Sequence, residues 1–311
     1  DVNSIPINLV QSVEILKDGA AAIYGTDAIG GVVNFILRNN FEGFEATVQY
    51  GVSGEDDGER KQGNLTWGTS GENGSVVFGI KYDKFEPVLA ADRAYANAPL
   101  AGEVVDGETS TFTFGSSRNP TGFYSVPRTI AAANRIICPG SGANVNLTRR
   151  ADRPGTAIGD FRCYIGSGPG NDTFNFQAEG NVVLTPQERY GLFSLASLSL
   201  NESAEVYAEM FYNNTRSQNQ IASLPFDSGS EGIPVSAQNI YNPFGVNIAN
   251  ARLRVQSLGP RVTGFDTDDF QTTIGVRGSF ADVWGYDVYG LYGKTDQQTF
   301  TSGALFSPAV A

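Results

Sequence analysis

Side chains with catalytic or metal-binding chemistry are sparse in this chain of 311 residues. It contains no histidine, which excludes Ser-His-Asp and Cys-His catalysis as well as most zinc and transition-metal sites. The G-x-S-x-G nucleophile motif and the phosphate-binding P-loop are also missing. The acidic residues 55–59 lack the ligand spacing of a calcium loop. The sequence therefore predicts a protein that is not an enzyme and that holds no cofactor or metal.

Aromatic side chains in Gly- and Asn-rich segments are the residues best suited to bind a ligand. Exposed rings can stack on a small molecule or an oligosaccharide, and a nearby arginine can hydrogen-bond to it. The alternative is that these rings pack the loops against themselves, and the sequence leaves both interpretations open. The predicted ligand contacts are Phe123, Tyr124, Arg162, Tyr164, Tyr241 and Phe244.

Cys138 and Cys163 are the two cysteines of the chain, and both lie in a stretch rich in Gly, Pro and Asn. Two cysteines in a loop of an otherwise Cys-free chain predict one disulfide, and with it an oxidising compartment such as a periplasm or a cell surface. Closing the loop between them would stabilise it by about 3 kcal/mol. Two unrelated buried thiols are the alternative.

The elements that position these loops are predicted to be strands. Hydrophobic residues make up 41% of the chain, aromatic residues 11%, and glycine occurs 37 times, which is typical of a β protein. A net charge of −12 argues against nucleic acid as a partner. No window approaches the roughly 18 consecutive apolar residues of a transmembrane helix, so any membrane crossing would use strands. Because the chain opens at Asp1 without a leader, we expect a fragment or a processed piece.

A period-two pattern begins after residue 40 and predicts about seven strands of roughly ten residues. The connections between them alternate between short and long, and the two longest loops are predicted near residues 86–187 and 217–268. An antiparallel barrel with short turns at one rim and long loops at the other requires this alternation. Each strand has one apolar, tyrosine-bearing face and one polar face. In a membrane barrel the apolar face would meet lipid, whereas in a soluble β-sandwich it would be buried in a core.

The N-terminal segment, residues 12–37, reads SVEILKDGAAAIYGTDAIGGVVNFIL. Its pattern predicts a strand, a short helical turn that Asp18 caps and Gly25 ends, and a second strand. This run resembles the end of the plug domain of TonB-dependent outer-membrane receptors, in which barrel strands follow directly. The residues that carry the plug motif are Val13, Glu14, Leu16, Lys17, Asp18, Gly19, Tyr24, Gly25, Gly30, Gly31 and Asn34.

The resemblance implies a fold that is mostly β: residues 1–40 as the C-terminal part of an α/β plug, and residues 41–311 as the first strands of a partial transmembrane antiparallel β-barrel. It implies active, TonB-dependent import of a scarce nutrient across the outer membrane of a Gram-negative bacterium. The implied partners are outer-membrane lipid, a small-molecule or oligosaccharide ligand, and the periplasmic TonB complex, which would act through a region upstream of this chain. A passive porin-like channel and a soluble surface β-sandwich binding module are the alternatives.

Overall fold

The computed structural model describes residue 5 and residues 7–17, 21–105, 108–168, 170–280 and 283–305. The chain is mostly antiparallel β, with 57% of residues in strands and 7% in helices, which confirms the predicted fold class. It divides into two compact units. The first comprises Asp1–Pro87, Thr185–Gln218 and Gly264–Thr299, and the second comprises Val88–Leu184, Asn219–Thr263 and Phe300–Ala311.

The N-terminal hairpin opens the first unit. A 3₁₀ turn, Ile7–Leu9, leads into β1 (Val10–Leu16), which pairs antiparallel with β2 (Val32–Leu37). Between the two strands lie the helical turn α1 (Ala21–Tyr24) and a second 3₁₀ turn, Thr26–Ala28. The strand, helical turn and strand occur in the order that the sequence predicts.

Seven long strands follow as a meander in which neighbours along the chain pair with each other. They are β3 (Gly43–Gly51), β4 (Arg60–Gly71), β5 (Gly74–Phe85), β13 (Gln187–Asn201), β14 (Ala204–Asp227), β15 (Ala251–Phe280) and β16 (Trp284–Ser302). The last residues of β14 and the first residues of β15 belong to the second unit.

Two predictions about this meander need correction. β14, β15 and β16 have 24, 30 and 19 residues, well above the predicted ten. The second long loop is also shorter than residues 217–268, because β14 continues to Asp227 and β15 begins at Ala251. The β14 extension begins with the polar run SQNQ at residues 217–220, which lacks the apolar alternation by which a strand is identified. The start of β15 does alternate, but Gly259 and Pro260, which are uncommon inside strands, interrupt the pattern.

The second unit, here called the loop unit, consists of short elements. They are β6 (Val88–Leu89), β7 (Leu100–Val105), β8 (Glu108–Thr113), β9 (Phe123–Pro127), α2 (Arg128–Ala133), β10 (Asn144–Arg149), β11 (Phe161–Cys163) and β12 (Val182–Leu184). β9, β10 and β11 form an antiparallel sheet, and β9 also pairs with the start of β15 at Ala251 and Arg252. A buried apolar cluster lies against this sheet and contains Val126, Leu147, Phe161, Phe244 and Ile248.

Candidate ligand-binding site in the loop unit

The predicted plug-motif residues lie in the N-terminal hairpin. Glu14 pairs with Asn34, and Leu16 pairs with Val32. Gly31 has a φ of 127°, and a Cβ there would lie 2.5 Å from the carbonyl oxygen of Leu16, so only glycine fits this close approach. At Gly30, by contrast, no atom lies within 4 Å of the position a Cβ would take.

Four other motif residues lie in a strand, at exposed positions or in a turn. Val13 pairs with Phe35 in the hairpin, Lys17 and Tyr24 are exposed, and Gly25 has a φ of 87° immediately after α1. Asp18, which was predicted to cap the helical turn, and Gly19 lie outside the described residues.

The start of this hairpin packs on one face of the meander. Leu9 is fully buried in a cluster with Val77, Phe193 and Leu195. Asn8 Nδ2 donates a hydrogen bond of 2.6 Å to Thr66 Oγ1 on β4. The backbone carbonyl of Leu9 in turn accepts a hydrogen bond from the Arg38 amide at 2.8 Å, which fixes the 3₁₀ turn to the end of β2. The hairpin therefore has a defined, partly apolar seat on strands β4, β5 and β13.

The strand register shows which residues share the face of the meander on which the hairpin packs. Residues that pair directly across antiparallel strands lie on the same face. Thr66, which bonds to the hairpin, pairs with Gly79, and Gly79 pairs with Phe193. A Cβ on Gly79 would lie 2.0 Å from Phe193 Cζ, so this glycine makes room for the ring beneath Leu9. The same face carries a polar row further along the strands, formed by Gln49, Gln62, Asp83 and Arg189.

The opposite face of the meander is apolar and exposed. Phe44 pairs with Trp67, which pairs with Phe78, and all three side chains are exposed. Val48, on the same face of β3, has 88% of its surface accessible. A soluble β-sandwich would bury this face against a second sheet. Within the described part of the first unit the face carries no such cover.

A cavity of about 520 Å³ lies in the first unit between the N-terminal hairpin and strands β14 to β16. Phe35, Leu37 and Phe211 form its apolar side. Asn213, Gln271 and Thr295 are among its polar lining residues. None of the predicted ligand contacts lies here.

The loop unit contains an aromatic cluster that the sequence only partly identified. The ring of Phe161 lies 4.8 Å from that of Phe244 and 5.4 Å from that of Tyr124, and the rings of Tyr124 and Phe244 are 5.7 Å apart. Cys138 belongs to the same buried cluster, and its sulfur is bonded to that of Cys163 at 2.03 Å. The disulfide thus joins β11 to the segment that follows α2, beside the rings.

A cavity of about 260 Å³ opens beside this cluster. Tyr124, Tyr241 and Phe244, three of the six predicted ligand contacts, line it together with Arg149 and Phe161. Phe244 is buried, whereas Tyr241 is 83% exposed. The structure therefore brings residues that are more than a hundred positions apart in sequence to one concave surface.

The other three predicted contacts lie together elsewhere in the loop unit. Phe123 is buried, with its ring 5.0 Å from that of Tyr164. Both terminal nitrogens of Arg162 bind the carboxylate of Asp172, at 2.5 and 2.8 Å. Burial alone would raise the pKa of Asp172, but the bonds from Arg162 and from the Ile165 amide outweigh it and lower the pKa. Arg162 therefore serves the internal structure of its loop.

Two features of the loop unit were missed from the sequence. Arg149 at the end of β10 carries no motif, and only the fold places it at the cavity. Asp227 is buried and pairs with Arg118 at 2.7 Å and Arg252 at 3.1 Å. Burial would raise the pKa of Asp227, but backbone hydrogen bonds and these two arginines lower it. Nothing local in the sequence indicates that these charges meet.

Within the described ranges, no group of three or more acidic, Cys or His side chains is arranged to hold a metal ion. No helix among the same residues has the length and hydropathy to cross a membrane.

Residues 1–32 match the family described as the TonB-dependent Receptor Plug Domain. The chain is also 29% identical over 111 residues to the vitamin B12 transporter BtuB of Photobacterium profundum. That alignment covers 33% of this chain and 18% of the transporter. The expectation that the chain is no enzyme agrees with a relative that is named as a transporter.

Two solved structures are similar at low identity. The siderophore receptor PiuA from Acinetobacter baumannii is 11% identical with a TM-score of 0.34, over 97% of this chain and 39% of the receptor. The ferric enterobactin receptor PfeA from Pseudomonas aeruginosa, in an R480A mutant with enterobactin bound, is 14% identical with a TM-score of 0.31. That match covers 89% of this chain and 37% of the receptor. At these TM-scores nothing further follows from the two structures. The plug-domain match over residues 1–32 and the similarity to the transporter agree with the resemblance over residues 12–37, and they support a fragment of a TonB-dependent receptor.

Proposed function

We propose that this chain belongs to an outer-membrane receptor that imports a scarce nutrient into a Gram-negative bacterium with energy delivered by the periplasmic TonB complex. In this proposal residues 1–40 are the end of the plug, residues 41–311 supply the first barrel strands, and TonB acts through a region upstream. The nutrient is a small molecule or an oligosaccharide that first meets the loop unit.

One observation carries the proposal: the plug-type hairpin is seated on the polar face of an antiparallel meander whose other face is apolar and exposed. An apolar outer face and a polar inner face are the pattern of an outer-membrane barrel. Leu9 and the bond from Asn8 to Thr66 hold the hairpin on the face that would line the barrel interior. A barrel that is closed and opened during transport needs such a segment. An open porin has no need of it.

Chain direction orients the proposed barrel. The connections β4–β5 and β13–β14 are tight, whereas β5–β13 and β14–β15 hold the loop unit. Short turns face the periplasm and long loops face outward in outer-membrane barrels. The loop unit is therefore the proposed extracellular entrance.

Uptake measurements on the full-length receptor test this function. The gene is deleted and restored in cells with and without functional TonB, and uptake of cobalamin, a ferric siderophore and an oligosaccharide is measured. We expect uptake of one of them to require both the receptor and TonB. Uptake that needs the receptor but not TonB would establish the porin-like channel. A receptor that fractionates as a soluble protein would establish the β-sandwich module.

A further inference from the structure

The cavity in the loop unit has one apolar and aromatic wall. Tyr241, Phe244 and Phe161 supply rings, and Ile240 and Ile248 supply aliphatic surface. At about 260 Å³ it is smaller than a typical cavity for a whole drug-sized ligand, which is roughly 300–1,000 Å³. It therefore fits one ring-bearing group of a ligand rather than a complete large nutrient.

The other side of the cavity offers hydrogen-bond donors that have no partner among the described residues. Arg149 Nη1 donates to the carbonyl oxygens of Arg150 at 3.3 Å and Arg153 at 2.5 Å. Its Nε and Nη2 bond to no described residue, and no described carboxylate forms an ion pair with it. The hydroxyl of Tyr124 likewise has no hydrogen-bond partner among the described residues. The charge of Arg149 lies near enough to act on the pKa of Tyr124, which burial raises.

The exposed lip of the cavity is held in place by local hydrogen bonds. Asn242 Oδ1 accepts from the Phe244 amide at 3.0 Å, and its Nδ2 donates to the carbonyls of Ser236 at 2.9 Å and Val246 at 2.8 Å. Asn239 Oδ1 accepts from the Tyr241 amide at 2.9 Å. These bonds fix the backbone that carries Tyr241, so binding a ligand against its ring would require little ordering of the loop backbone.

We propose that this cavity is a subsite for a ligand group that combines a flat ring with an anionic oxygen. The ring lies against Tyr241 and Phe244, and the anion is bound by the free nitrogens of Arg149 and by the Tyr124 hydroxyl. The guanidinium fork matches the geometry of a carboxylate or a similar anion. This inference rests on the proposed function, in which the loop unit is the ligand entrance, and it names the chemistry that the entrance selects.

The test uses the purified full-length receptor with benzoate as the probe and benzamide as its neutral isostere. Saturation-transfer NMR measures the Kd of each. We expect benzoate to bind more tightly than benzamide, and Arg149→Gln to raise the Kd for benzoate roughly tenfold or more, because a charge-assisted bond is lost. Arg150→Gln is the matched control, because it makes the same charge change at an exposed neighbour outside the cavity.

A second variant keeps the test decisive if Arg149→Gln disturbs its loop. Tyr124→Phe removes only the hydroxyl and is expected to weaken benzoate binding more than benzamide binding, because the bond from the hydroxyl to a carboxylate is charge-assisted and the bond to an amide carbonyl is not. Equal effects of Arg149→Gln and Arg150→Gln, equal affinity for benzoate and benzamide, or no binding of either probe would overturn the proposal. Benzoate binding through Arg149 in a receptor without TonB-dependent uptake would refute only the proposed transport. Uptake that depends on TonB, without benzoate binding, would refute only the subsite.

Discussion

The first unit and the loop unit are stabilised in different ways. The first unit is a regular ladder in which one face is apolar along the rows of Phe44 and Val48 and ends in a charged row at Lys61 and Lys84. The other face holds the apolar seat of Leu9 and a polar row. The loop unit has short strands around a buried aromatic cluster, and it is cross-linked internally by a disulfide and by ion pairs such as Arg162 with Asp172. A repeating pattern therefore suffices for the ladder, whereas the loop unit depends on a few individual contacts between distant residues.

The largest expected loss of stability follows from a substitution in the aromatic cluster of the loop unit. Phe161 is 3% exposed and contacts two other rings, so Phe161→Ala should destabilise the loop unit by about 3–5 kcal/mol. Limited proteolysis of the loop unit measures the change. Phe44→Ala, at a 64% exposed position of the ladder, is the matched control and should leave the loop unit's resistance unchanged. Equal protease sensitivity of the two variants would contradict the contrast.

The next effect concerns the seat of the N-terminal hairpin. Leu9→Ala leaves a void against Val77, Phe193 and Leu195 and should weaken the hairpin's attachment by about 2–5 kcal/mol. Hydrogen exchange over residues 32–38 should accelerate, because the Arg38 amide bonds to the Leu9 carbonyl. Ile7→Ala, in the same turn but 78% exposed, should have little effect. Unchanged exchange in the Leu9 variant would show that the hairpin is held by other contacts.

Loss of the disulfide should affect one unit only. Replacing Cys138 and Cys163 with serine should cost about 3 kcal/mol through the larger freedom of the unfolded loop. We expect faster proteolysis within the loop unit and an unchanged rate of hydrogen exchange in β3, β4 and β5. If the ladder strands exchanged faster as well, the two units would not be independent in stability.

Acid should weaken the loop unit through Asp172. Its pKa is lowered in the folded state, so its contribution is present above the ordinary carboxyl pKa of about 3.9 and is lost as the pH falls through the lower folded value. Protease resistance of the loop unit should therefore fall below roughly pH 4. In an Asp172→Asn variant this part of the pH dependence should disappear. A variant with the same acid profile as the native chain would show that other groups control it.

The sequence predicted the ladder because alternation of polar and apolar residues is a local property. Phe44, Val48 and Tyr82 could be assigned to one face from their spacing alone. The extension of β14 was missed because residues such as Gln218 and Asn219 do not alternate with apolar ones, and that of β15 because Gly259 and Pro260 interrupt its alternation.

The candidate site was only partly predictable. Tyr124, Tyr241 and Phe244 were identified as aromatics in loops, but their meeting depends on how the segments around β9 and Asn242 fold. Arg149 could not be identified, because an arginine at a strand end has no local signal for ligand binding. The ligand roles of all six predicted contacts stay predictions.

The central claim is that the apolar face of the meander meets lipid while the opposite face lines a polar interior. Single nitroxide labels on Val48→Cys and on Gln49→Cys, in the full-length receptor reconstituted in bilayers, test it directly. These neighbours lie on opposite faces of β3, as their partners Gly63 and Gln62 on β4 show. We expect frequent collision with oxygen and rare collision with a water-soluble nickel chelate for the Val48 label, and the reverse for the Gln49 label. A Val48 label that collides freely with the nickel chelate would contradict it.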